Sequence, residues 1–324
     1  MTPEGYFVSS EEDEIYNTPE KWYVRDKWAK YALDRKKKNH RDFIRLLTLT
    51  STKCYDVKFL RDNGLLLMTE AGYAPESVTF CEHNHERYVL IRNRLPGARD
   101  FFGDLEYFVG AGSPGFTNRA QRWFPYDVIN LDFTKPGFRQ KGKKTSTMMD
   151  TISKIFMIQG FKKQSFTLFL TLPAIKKGND TTGIRQLNEC LNSNLGGKYS
   201  KFEDNFLKKY PSERFPSYRE FLLVVVPKLI IRYGQSENFD IRCQEKCTYI
   251  GKGAKAVMIT FIFECEYVGL SNGYGGENPA DILARIYPTR ILEIIEREYE
   301  DINKKFTRDP RLKGKYSQLT DKYN

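Results

Sequence analysis

Phe124-Pro-Tyr-Asp-Val-Ile-Asn-Leu-Asp-Phe-Thr-Lys-Pro-Gly137 is the segment from which the chain is best approached. Its apolar run at 128–131 is entered by Asp127, carries Asp132 at its carboxyl end and stops at Pro136-Gly137. A short apolar run bounded by turn residues is the pattern of a strand covered on both faces by helices. Ligands of open α/β sheets sit beyond the carboxyl ends of such strands. Asp132 and the Phe133-Thr-Lys135 that follows are therefore expected to face a pocket.

Working outward, strand and helix patterns alternate. On the amino-terminal side, 43–49 reads as a strand and 55–63 as a helix stopped by Gly64. A strand at 77–81 follows, then a helix at 84–94 stopped by Pro96-Gly97, and a third strand at 100–109 interrupted by Gly103-Asp104. On the carboxyl side, 145–159 is a helix with Met148, Ile152, Ile155 and Phe156 at helical spacing, and 165–172 is a fifth strand. The polar stretch 174–217 holds helical pieces near 184–195 and 202–209, and 218–233 is an apolar helix bent or restarted at Pro227. Strands at 239–250 and 256–268, joined by Gly251-Lys-Gly-Ala254, read as an antiparallel hairpin. A charged helix at 280–306 precedes a loose basic tail. Such alternation predicts an α/β fold, a Rossmann-like mostly parallel sheet with helices on both faces and a C-terminal antiparallel hairpin.

Charge divides the chain further. Residues 1–20 hold six acids and no Lys or Arg, whereas 21–45 hold ten Lys and Arg against three acids. That change of sign predicts a disordered acidic tail at 1–17 joined to a basic helix at 18–41, with Thr18 as N-cap and Pro19 at the first helical position. Trp22, Val24, Trp28, Tyr31 and Ala32 supply its apolar face; Arg25, Lys27, Lys30 and 35–38 read as the solvated one, with Lys36 and Lys37 able to contact phosphates. The remaining divisions are 42–268 and a helix with its tail at 269–324. A formal charge of +11 favours a polyanionic partner. No stretch reaches the roughly 20 apolar residues of a membrane span and the amino terminus lacks a signal-peptide pattern, so a cytoplasmic location without membrane association is expected. Six scattered cysteines show no disulfide-scaffold spacing.

Together these elements resemble class I S-adenosylmethionine-dependent methyltransferases over roughly residues 40–268, a family whose fold also closes with a hairpin after the fifth strand. Three short sites carry the resemblance. Val78-Thr-Phe-Cys-Glu82 puts an acid at the tip of the second strand, where the family's acid holds the ribose hydroxyls. Asp104, after Gly103, falls where the family has an acid bonded to the adenine amino group. Asp127-Val-Ile-Asn-Leu-Asp-Phe-Thr-Lys-Pro-Gly137 looks like the fourth-strand motif and is most similar to the Asp-Leu-Asp-Pro-Tyr/Phe-Gly run of tRNA guanine-N2 dimethyltransferases. The resemblance implies S-adenosylmethionine as cofactor, Asn130 and Asp132 at the two acidic positions, Asp132 holding a target amine, and Phe133 packing on the base.

The first strand departs from the family. Leu47-Thr-Leu-Thr-Ser-Thr-Lys-Cys-Tyr-Asp56 has no glycine where the family has Gly-x-Gly, so the hydroxyls of Ser51 and Thr52, with Lys53, are the groups left to take the cofactor's carboxylate. Just beyond Asp132, Lys135, Arg139, Lys141, Lys143 and Lys144 occur with no acid among them, a basic run suited to a nucleic-acid backbone. Two function classes follow: transfer of a methyl group to an amino nitrogen of a nucleic-acid base, or a methyltransferase-like subunit, without cofactor affinity, that binds nucleic acid or a protein complex. Cys81-x-His83-x-His85 lacks a fourth ligand, and Cys243 and Cys247 stand about 13 Å apart along a strand, so no metal site is expected. Hydrolase elbows and phosphate loops are absent from the sequence.

Overall fold

The computed structural model describes residues 17–111, 115–133, 148–175, 217–250, 257–269 and 278–323. The expected acidic tail and the helical pieces near 184–195 and 202–209 lie outside the described residues. Helix α1 (Pro19–Lys38) starts as the sequence predicts, the Thr18 side chain accepting from the Lys21 N–H at 3.3 Å and Pro19 opening the first turn. Strand β1 (Leu46–Thr48), helix α2 (Tyr55–Asp62), a two-residue ribbon of β2 (Met68–Thr69) and β3 (Gly72–Tyr73), β4 (Val78–Glu82) and α3 (His85–Arg94) follow. Asn84 caps α3 through its side chain, which accepts from the Arg87 N–H at 3.0 Å.

The expected third strand at 100–109 is two elements. Strand β5 (Arg99–Phe102) ends before Gly103 (φ 152°), and helix α4 (Leu105–Val109) turns back onto the sheet because Leu105, Phe108 and Val109 are spaced to bury one helical face. Next come α5 (Asn118–Trp123), β6 (Val128–Asp132), α6 (Met148–Phe161), β7 (Phe166–Pro173) and α7 (Tyr218–Ser236), which runs through Pro227. The chain then adds β8 (Phe239–Tyr249), β9 (Met258–Tyr267), α8 (Pro279–Glu296), β10 (Glu300–Asp301), α9 (Ile302–Arg308) and α10 (Pro310–Tyr323).

The large sheet has the order β5-β4-β1-β6-β7-β9-β8-β10. Counted along the chain, its five parallel strands stand 3-2-1-4-5 and the order reverses between β1 and β6, which pair in parallel with Thr48 opposite Asn130. Among the described strands of this sheet, β9 alone is antiparallel to the rest, pairing antiparallel with both β7 and β8. This is the α/β, Rossmann-like sheet with a C-terminal antiparallel hairpin that the sequence predicts.

Strand alternation divides the core between two layers. Ile129 and Leu131 of β6 join α4, α6, α7 and α8 on one face, while Val128 faces α1 and α2, where α9 and α10 also pack. The carboxyl terminus is a helix and not a loose tail. Tyr316 is buried, and Leu312, Leu319 and Tyr323 line the same stripe against α1, an apolar period masked in composition by Arg311, Lys313, Lys315 and Lys322. Trp22 stacks on Tyr323 at 4.6 Å, and the Tyr316 hydroxyl bonds Asp26 at 2.9 Å.

Candidate functional site

The strand order reverses between β1 and β6, and it is beyond the carboxyl ends of strands at such a switch point that open α/β sheets have their ligand crevice. Asn130 and Asp132, two residues apart on β6, point to the α1 face like Val128. Helix α1 runs against the parallel strands: Lys21, in its first turns, reaches Asp132 at the end of β6, while Asn39, just past its end, bonds Asp127 before β6 begins. Two cations therefore enter the crevice from the helix start. The Lys21 ammonium pairs with Asp132 Oδ2 and donates to the Tyr249 hydroxyl at 3.3 Å, lying 5.0 Å from the Trp28 ring. Arg25 Nε pairs with Asp56 Oδ1 at 2.6 Å, its guanidinium 4.5 Å from the Trp22 ring and 5.3 Å from Tyr55.

Asn130, two residues before Asp132 on β6, bonds to the second of these pairs. Its Nδ2 donates to Asp56 Oδ2 at 3.2 Å and to Thr48 Oγ1 at 3.4 Å. The Asp132 side chain is 5% exposed and Asn130 is 1% exposed, yet Asn130 Oδ1 and Asp132 Oδ1 meet no donor among the described residues. Two buried acceptors left open at one strand end are a costly arrangement unless a donor is to be received. Burial drives the Asp132 carboxyl up, and Lys21 opposes it. Burial alone would lower the Lys21 ammonium, but Asp132, with Tyr249 and Asp56, outweighs it and holds the ammonium above its ordinary value.

The turn after β1 shows how the chain manages without glycine. Cys54 takes the left-handed conformation at φ 55° and starts α2 without a side-chain cap. Ser51 and Thr52 are buried and Lys53 is half-buried. The Ser51 carbonyl accepts from the Cys54 N–H at 2.9 Å, and the Thr52 carbonyl accepts from Arg94 of α3.

Glu82 and Asp104 meet at the ends of β4 and β5. Glu82 accepts from the Asn84 N–H at 2.8 Å and from Arg87 Nε at 3.1 Å. His83 Nδ1 lies 3.3 Å from Glu82 and 3.4 Å from Asp104, and the Gly103 N–H donates to the Glu82 carbonyl at 3.0 Å. This acidic pair and the Asn130–Asp132 pair share one edge of the sheet, with β1 between β4 and β6. Two strand spacings, about 10 Å, therefore separate the tips of β4 and β6, and the edge carries two adjoining clusters.

Phe133 requires correction. Alternation sends it to the opposite face, where it packs on the core with α6 and α7 while its N–H donates to the Thr171 carbonyl at 2.9 Å. It cannot stack on a group held by Asp132. The solvated basic face of α1 is corrected too. Arg25 and Arg35 are each 1% exposed, and Lys27 pairs with Glu245 at 2.9 Å. Lys36 and Lys37 stand at the far end of α1, about 22 Å from Lys21 by helical rise, so they do not adjoin the crevice. Lys135, Arg139, Lys141, Lys143 and Lys144 lie outside the described residues.

Sequence reasoning missed Lys21, Arg25 and Asp56. A signal was present: the two cations are four residues apart on α1, one helical turn, with Trp22 and Trp28 in the same stretch. The partners, 111 and 31 residues away, were not legible.

Among known proteins, the model of the PP_RS20740-like family matches residues 109–270, which is 162 of the 324 residues, and the chain belongs to that family. The match spans β6 with Asn130 and Asp132 and continues through the hairpin of β8 and β9, leaving α1 outside it. No curated protein matches the chain.

Proposed function

We propose that this member of the PP_RS20740-like family is an S-adenosylmethionine-dependent methyltransferase acting on an amino nitrogen of a nucleic-acid base. The observation that carries the reading is the pair of buried, unpartnered acceptors, Asn130 Oδ1 and Asp132 Oδ1, at the point where the strand order reverses. A primary or aromatic amine offers two N–H donors, and acceptors fixed by a rigid strand would hold it in one orientation. The same edge carries Glu82 at the tip of β4, which adjoins β1, and Asp104 just past β5 on the far side of β4, carboxylates suited to ribose hydroxyls and an amino group. These residues fit a nucleoside cofactor lying along the edge. When bound, the cofactor supplies an electrophilic methyl group on a sulfonium.

The chain's part is mainly positioning. Asp132 and Asn130 would accept from the amine so that its lone pair points along the edge toward β1. Tyr249 and Trp28 exclude water from the Lys21 side of Asp132. Nucleic acid as substrate is supported by the net charge of +11 and by the five bases and no acid at 135–144, directly after Asp132 and Phe133 in the chain.

One observation favours a second reading, a methyltransferase-like binding subunit: the glycine-free turn after β1, with Ser51 and Thr52 buried. Calorimetric titration with S-adenosylmethionine separates the two. Micromolar binding that Glu82→Ala abolishes, with labelled methyl passing to RNA or DNA in the wild type and not in Asp132→Ala, supports the enzyme. No saturable binding at millimolar cofactor overturns it in favour of the subunit, and label passing only to protein overturns the nucleic-acid substrate.

A further inference from the structure

The Lys21–Asp132 pair is unusual in its cost. The two side chains are 3% and 5% exposed, and a buried ion pair seldom stabilises a fold more than apolar residues of the same volume. Its geometry is asymmetric. Lys21 engages Oδ2, while Oδ1 of the same carboxylate is left without a donor. The helix start that carries Lys21 is also pinned: the Asn17 side chain donates to the Thr320 carbonyl at 3.1 Å, and Trp22 stacks on Tyr323 at 4.6 Å. The ammonium thus stands on a braced support.

We propose that Lys21 is the positioning residue for Asp132, tying Oδ2 so that the carboxylate stays ionised and presents Oδ1 as an acceptor. The proposal rests on the reading that Asp132 holds the substrate amine. The groups that bear on the carboxylate are Lys21 and Arg25 from α1, Asp56 from α2 and Tyr249 from β8. Of these, Asp56 disfavours the anion, and the Tyr249 hydroxyl accepts from Lys21. Without Lys21, burial and Asp56 would push the carboxyl further towards its protonated form. A protonated carboxyl would offer the amine an O–H in place of a second lone pair, and the orientation of the amine would be lost.

The test is a pH titration of aspartate side-chain carboxyl carbons by NMR on the full chain, the Asp132 signal being identified by its absence from Asp132→Asn. Lys21→Met is expected to raise the Asp132 midpoint by roughly 1–3 pH units, and Lys21→Arg to return it toward the wild-type value. An unchanged midpoint in Lys21→Met overturns the proposal. Should Lys21→Met fail to fold, Lys21→Met/Asp132→Leu is expected to fold, since no charge is then stranded, and its failure overturns the proposal. Where methyl transfer is measurable, the acid limb of its pH profile should move with the NMR midpoint. A shifted midpoint in a protein that transfers methyl to no substrate leaves the Lys21–Asp132 linkage standing and sinks the enzymatic reading alone.

Discussion

Arg25 and Arg35 sit ten residues apart on α1, both 1% exposed, and the same substitution to Met should cost very different amounts. Arg25→Met removes the cation from Asp56, whose side chain is 5% exposed and would keep, among the contacts described above, the single neutral donor Asn130 Nδ2 at 3.2 Å. Stranding a carboxylate in that way costs about 3–5 kcal/mol. Arg35 donates to both oxygens of Glu266 at 2.8 and 3.0 Å and to Thr167 at 3.2 Å. Glu266, however, is 37% exposed with Lys38 at 3.4 Å, so after Arg35→Met it turns to water and Lys38. Loss of charge-assisted bonds with the acceptor rehydrated amounts to about 1–2 kcal/mol. The gap of about 2 kcal/mol is roughly 30-fold in the unfolding equilibrium. Urea denaturation followed by circular dichroism, with slopes matching the wild type, measures it. Arg25→Met/Asp56→Leu should recover most of the Arg25→Met loss, because no charge is then left buried. Arg35→Met costing as much as Arg25→Met, or a double variant no better than the single one, would refute the reasoning.

The pH dependence has a definite sign. Burial pushes the Glu266 carboxyl up, but the Arg35 bond and charge, with Lys38, outweigh it and hold the group below its ordinary value. A carboxyl depressed in the folded state contributes stability present above its unfolded value near 4.3 and lost as pH falls through the folded value. The difference between wild type and Arg35→Met should therefore be full at pH 6 and close below about pH 4.

Three further outcomes are expected. Burial pushes the thiols of Cys54, Cys243 and Cys247 up to about 12, so their thiolate fraction at pH 8 is about three orders of magnitude below that of a free thiol; in a Cys190→Ser background, rapid reaction of the native protein with a disulfide reagent would contradict this. Gly72 (φ 121°) and Gly97 (φ 82°) have no room for a Cβ, which would lie 2.2 Å from the Pro96 carbonyl oxygen and 2.3 Å from that of Tyr73, whereas at Gly64 (φ 68°) nothing lies within 4 Å. Alanine should cost about 1 kcal/mol at Gly64 from backbone strain alone and at least about 2 kcal/mol at each of the others, and equal midpoints in urea would show the clashes to be unimportant. Ending the chain at Asp309 removes the Tyr323 ring from Trp22, so tryptophan emission should shift to the red, and an unchanged spectrum would mean that α10 does not cover α1.

Much of the fold was legible because it depends on near neighbours in the chain. Apolar runs bounded by Gly64, Gly97 and Pro173 mark strands and helices whatever their partners, and their alternation specifies a parallel sheet. The split of 100–109 was legible in principle, since Leu105, Phe108 and Val109 recur at helical and not strand spacing. So was the exclusion of Phe133: the period of two that sets Asn130 beside Asp132 on one face sends Phe133 to the other. Cys54 was not legible, because an L residue at φ 55° leaves no mark in composition where a glycine would have.

From the sequence alone came the alternation of strands and helices from β1 to the hairpin of β8 and β9 apart from the split at 100–109, the cap at Thr18 and the place of Asp132 at a strand end, all set by local period and turn chemistry. Only the tertiary structure decided what Asp132 faces. Lys21 meets it across 111 residues because the docking of α1 on the sheet, fixed by Trp28 stacked on Phe169 at 5.4 Å and by α10 behind it, brings that ammonium to the end of β6. Period determines which way a side chain points along its own element; which charge it then meets depends on how two elements pack, and no local pattern encodes that.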